Sequence, residues 1–106
     1  HHSYNTLTDN VQRAHTILRP RYFDIIDNHS VSYDFAPGFF GFVRVTLRGC
    51  RRGERIKIGN LTYICSGEID EQAFARFTPA FMRKITISGD RHFKPEQVQE
   101  VEGICL

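Results

Sequence analysis

The stretch Phe39-Phe40-Gly41-Phe42-Val43-Arg44-Val45-Thr46-Leu47-Arg48 decides the fold class. Val43, Val45 and Leu47 alternate with Arg44, Thr46 and Arg48. A strand turns successive side chains to opposite faces, so the first set points to a core and the second to water. Either Phe39 or Phe40 then faces away from the Val43 side. The same period returns near the C-terminus, where Ile85 and Ile87 alternate with Lys84, Thr86 and Ser88 in the segment from Phe81 to Ser88.

Working outward, Tyr22 to Ile26 is an aromatic and β-branched run, Asp27-Asn28 is a turn signal, and Ser30 to Phe35 reads as the next strand. Ala36-Pro37-Gly38 is expected to break the chain, because proline donates no ladder hydrogen bond. Gly49 to Gly53 supplies a turn. Arg55 to Ile58 and Leu61 to Cys65 read as one further strand interrupted at Gly59-Asn60. Between Ser66 and Thr78 the reading stays open. Phe74 and Phe77 are three apart, which fits a helical turn, and Glu68, Asp70 and Glu71 read as a solvated acidic loop. Gly89-Asp90 is a turn, Pro95 to Gln99 a single helical turn with proline near its start, and Val101 to Leu106 the closing strand.

Turn signals at strand spacing, with no long helix between strands, predict an all-β antiparallel sandwich, jelly-roll-like, over residues 21–106. Residues 1–20 read as a tag remnant (His1, His2) followed by a linker or a short helix. Thr8, Asp9 and Asn10 are helix-capping types, Val11, Ala14, Ile17 and Leu18 recur at helical spacing, and Pro20 ends the run.

The chain has 106 residues with nine Phe and four Tyr, enough apolar material for one core and too much for a disordered segment. Fourteen basic against twelve acidic residues is nearly balanced, so nucleic acid is not the expected partner. Arg48, Arg51, Arg52, Arg55 and Lys57 read as a solvated hairpin tip. The sharper alternative for them is an anion contact. No apolar run is long enough to span a membrane, and no signal peptide is visible in the chain.

Chemistry is sparse. Cys50, Cys65 and Cys105 lack the paired short spacing of a zinc site and read as buried free thiols. Cys65-Ser66 and His92 carry no nucleophile signature. His15 and His29 read as exposed. No cofactor, metal or catalytic residue is expected. Phe39 and Phe40 are the candidates for a carbohydrate platform, with core packing as the competing role.

The run Asp34-Phe35-Ala36-Pro37-Gly38-Phe39-Phe40-Gly41 through Gly49 resembles the β-sandwich domain that precedes the catalytic helical barrel of bacterial α-L-rhamnosidases. Asp34, Phe35, Gly41 and Gly49 match that pattern in type and spacing. Gly53 with the Ile56-Lys57-Ile58-Gly59 stretch, and Phe81 and Arg83 before Ile85 and Ile87, resemble its later strands. The chain departs from it at Ala36 (Gly in the family), at Asn60 (a Gly-Glu pair) and at Lys84 (Tyr). The resemblance implies a bacterial, periplasmic or extracellular glycoside hydrolase whose two carboxylates sit on a separate barrel and act with inversion. This domain would then be a non-catalytic accessory module packed on that barrel. The alternatives are a free-standing carbohydrate-binding module and a protein-interaction sandwich.

Overall fold

The structure is a computed structural model that describes residues 16–74 and 79–106. Eight strands are present among the described residues: β1 (Thr16–Leu18), β2 (Tyr22–Asp27), β3 (Ser30–Arg48), β4 (Arg55–Ile58), β5 (Leu61–Ile64), β6 (Asp70–Phe74), β7 (Ala80–Ser88) and β8 (Val98–Cys105). A single 3₁₀ turn, Pro95–Gln97, precedes β8. Every pairing is antiparallel.

The long strand β3 organises the rest. Along one edge it pairs with β2 through residues 30–34 and with β8 through residues 41–47. Its other edge carries β7 along residues 30–41 and β6 along residues 44–48. The order runs β1-β8-β3-β7-β4-β5, and this single sheet curls into a half-barrel. The all-β antiparallel fold expected from the sequence is therefore present. The layers that face each other across the core are parts of one sheet.

Val43, Val45 and Leu47 all point inward and are buried. They join Val31, Phe35, Phe39, Ile56, Ile85, Ile87, Phe93 and Val101 in one core. Arg44, on the outer face, pairs with Glu102 across β3 and β8 at 2.7 Å.

Four local expectations need correction. The strand does not end at Ala36-Pro37-Gly38: β3 runs through it as a bulge, and the register with β7 slips between Asp34 and Phe39. Asp34 Oδ1 accepts the Ala36 amide at 2.8 Å, and the Ala36–Pro37 peptide is cis. Gly38 has a φ of +118°, and a Cβ there would lie 2.4 Å from the Phe81 ring, so only glycine fits this bend. Because the bulge absorbs the extra residues, proline costs the ladder nothing.

Next, Gly59-Asn60 does not interrupt a strand. Ile58 and Leu61 face one another across it, so it is a two-residue hairpin turn between β4 and β5. Third, Asp70–Phe74, left open and read as part of a solvated acidic loop, is a strand on β3. Pairing to an open edge of β3 outweighs a weak local preference. Residues 75–78, including Phe77, lie outside the described residues. Finally, the N-terminal helix falls mostly on residues 1–15, which also lie outside them. Its last turn is instead strand β1, where Ile17 and Leu18 pair with Ile104 and Gly103.

The loop after β7 is held by hydrogen bonds at both of its ends. Gly89 donates to the His29 carbonyl at 3.1 Å, and His29 Nδ1 lies 2.9 Å from the Phe93 carbonyl. Thus His29, expected to be exposed, is half-buried. Phe93 is fully buried and packs on Gly89. At the far end Gln97 Nε2 donates to the Gly49 carbonyl at 2.9 Å. The loop thereby ties the turn before β3 to the turn after it.

Candidate functional site

Strand β2, Tyr22-Phe23-Asp24-Ile25-Ile26-Asp27, carries apolar side chains on both faces. One edge of it bonds to β3. Tyr22, Phe23, Ile25 and Ile26 remain 57–64% exposed, so most of their apolar surface meets water. Singly exposed apolar residues are ordinary, but a contiguous run marks a contact surface.

On the inner face of β2, Phe23 stacks on Tyr33 with centroids 6.2 Å apart. Together with Ile25, Val31, Val98 and Pro95 these rings line an open groove of about 340 Å³. Burial pushes the Tyr33 phenol above its usual value. The groove continues into a polar rim formed by Asp27, Asn28, His29, Lys94 and Glu96. Hydrogen bonds from the His29 amide and the Ser30 hydroxyl hold the Asp27 carboxyl below the ordinary aspartate value. An apolar floor with a charged rim is the anatomy of a protein contact. Neither a nucleophile nor a pair of carboxylates lines the floor.

The two sugar-platform candidates separate. Phe39 is buried, with its ring edge-on to Phe35 at 5.1 Å and against Gly103. By contrast Phe40 points outward, opposite Phe81, and the two are 52% and 66% exposed. Nearby on the outer face, Arg83 lies 3.6 Å from Asp34. The remaining motif residues are structural in placement. Asp34 holds the bulge, Phe35 is core, Gly41 lies against β8, and Gly49 has a φ of +80° in the turn after β3.

Arg51, Arg52, Arg55 and Lys57 are exposed, but the turn before β4 is not the expected hairpin tip, because β3 and β4 do not pair. Arg48 forms a two-pronged ion pair with Asp70 at 2.8 and 3.1 Å. His92 is exposed. Among the described residues, no group of three or more His, Cys, Asp or Glu side chains is placed to hold a metal ion.

The acidic segment corrects a further expectation. Glu71 is only 2% exposed, not solvated. Its carboxylate accepts hydrogen bonds from Tyr63 Oη, from the Ser66 amide at 2.5 Å and from the Gly67 amide at 3.2 Å. The available signal is the period of a strand, which puts Glu71 on the same face as Ala73. Burial pushes this carboxyl up, but the three donors outweigh it and hold it below the ordinary glutamate value.

A depressed carboxyl contributes stability that is present above its unfolded value and is lost as pH falls through the folded one. Stability is therefore expected to fall once pH drops below the ordinary glutamate range. Glu71→Gln should cost about 1–3 kcal/mol at neutral pH and flatten that acid limb. Urea titrations between neutral and acid pH check both.

Compared with known proteins, the chain matches no family model, no curated protein and no solved structure.

Proposed function

We propose that this chain is a non-catalytic β-module that docks through β2 onto a larger domain. Following the resemblance at Asp34, Phe35, Gly41 and Gly49, that domain is the catalytic helical barrel of a rhamnosidase-like glycoside hydrolase. The observation that carries the docking role is the exposure of Tyr22, Phe23, Ile25 and Ile26 along one strand. Full burial of such a side chain is worth about 1.5–3 kcal/mol, so this strand alone supports a stable contact. The groove beside it supports the same reading, because its charged rim confines the contact to the apolar floor.

The test uses the full-length chain that carries this domain. It should hydrolyse an aryl α-L-rhamnoside, and residues 16–106 alone should not. Phe23→Lys with Ile25→Lys should free the module, seen as rapid limited proteolysis at its boundary. Turnover by the isolated domain, or a full-length chain lacking a helical domain, would sink the reading. The exposed Phe40–Phe81 pair favours one alternative, a free-standing carbohydrate-binding module. Retention of the isolated domain on a polysaccharide gel, lost in Phe40→Ala with Phe81→Ala, would replace the docking role with that one.

A further inference from the structure

Cys50 and Cys65 are distant in sequence and adjacent in the fold. Cys50 enters the turn between β3 and β4, and Cys65 leaves β5. The turn closes on itself where Glu54 N donates to the Arg51 carbonyl at 2.9 Å. Two further backbone bonds clamp Cys65 to it: Cys65 N donates to the Glu54 carbonyl at 2.8 Å, and Gly53 N donates to the Cys65 carbonyl at 2.9 Å. Beyond Cys65, Gly67 lies so close to Arg52 that a Cβ there would sit 3.1 Å from its amide nitrogen.

This clamp turns both thiols into the same core cluster, 5% and 2% exposed. There each thiol bears on the ionisation of the other, and Gln97 Nε2 lies 3.9 Å from Cys50 Sγ. Both are free thiols in this structure. A disulfide needs two β-carbons pointing at each other over a short span. Here the backbone already holds the two side chains on one inner face.

We propose that Cys50 and Cys65 are a redox-convertible pair, closed to a disulfide by a small-molecule disulfide such as oxidised glutathione. In the reaction an S–S bond forms between the two Sγ atoms. The oxidant's own S–S bond breaks, and its two sulfurs leave as thiols carrying the two protons. The cysteines are oxidised and the reagent is reduced.

Burial sets the kinetics. It pushes both thiols above their usual value, and the nearby Glu54 and Glu71 carboxylates push the same way. The attacking species is the thiolate, so closure in the folded state is slow. Closure is fast when the chain refolds in the presence of the oxidant. Once made, the bond closes a loop of about 15 residues and pins the β3–β4 turn to β5.

The experiment refolds the Cys105→Ser protein from denaturant in buffers of reduced and oxidised glutathione. The expected product has lost two hydrogens in intact mass, and its peptide map links Cys50 to Cys65. Its melting temperature should rise on the order of 10 °C over the reduced form, and dithiothreitol should reverse the shift. Cys50→Ala and Cys65→Ala should each abolish the shift. If Cys105→Ser does not fold, the peptide map of the unaltered chain decides. Two free thiols after oxidative refolding, mixed glutathione adducts in place of the link, or a linked form that melts no higher would each overturn the proposal.

Discussion

Gly41→Ala is expected to cost about 3 kcal/mol or more, enough to unfold a domain of marginal stability. A Cβ at Gly41 would lie 1.9 Å from the Ile104 carbonyl oxygen and 3.0 Å from its carbon. Those atoms are backbone, so no rotamer change relieves the clash. Nor can the strand slide. Gly41 faces Cys105 on one side and Ala80 on the other, and Leu106 N donates to the Phe40 carbonyl at 3.1 Å. The only relief is to part β3 from β8, which breaks the central pairing of the half-barrel. The neighbouring Phe40→Ala is the control. It trims an exposed ring from the same stretch of backbone and should cost about 1 kcal/mol or less. Urea midpoints of both variants check the pair. A Gly41→Ala midpoint close to that of the unaltered protein would show that β8 can draw back from β3 at little cost.

Phe93→Ala is the second large effect, at about 3–5 kcal/mol. The ring is fully buried and is the one side chain that anchors the 89–97 loop in the core cluster. Losing it leaves a cavity against Gly89 and Ile56. It also loosens a connection whose hydrogen bonds reach His29 at one end and Gly49 at the other. Because Pro95 and Val98 wall the groove beside β2, the variant should also disturb that surface. Urea unfolding measures the cost, and proteolysis within 89–97 should accelerate. A cost below about 1 kcal/mol would mean that the loop is held by its polar bonds instead.

Elements with a strict period of two are legible from side-chain order alone. Val43, Val45, Leu47, Ile85 and Ile87 face inward because alternation leaves no other choice once one of them is buried. The same logic separates Phe39 from Phe40: counted back from Val43 it puts Phe39 inside, where it is buried, and Phe40 outside. Where local pattern misleads, the cause is pairing at a distance. Proline at 37 looks terminal because a bulge is visible only against a partner strand. Asp70 to Phe74 looks like loop or helix because the edge of β3 that holds it is 22 residues away at Arg48.

The candidate surface is less legible still. Tyr22 to Ile26 reads as a strand from its aromatic and β-branched run, and that run does not say which of its faces is covered. Only the half-barrel leaves that strand at an open flank. Glu71 shows the opposite case: its charge suggests surface, and a ring of three donors offsets the cost of its burial.

By itself the sequence determined the all-β class, the inward faces of β3 and β7, and the turns at Asn28, Gly49 and Asp90. These are local properties of side-chain alternation and turn chemistry. Tertiary structure alone decided that one sheet curls on itself, that β2 stands exposed, and that Cys50 meets Cys65 beside a buried Glu71. Each of these depends on which edge a strand finds, and chain closure brings such edges together from segments that share no local pattern.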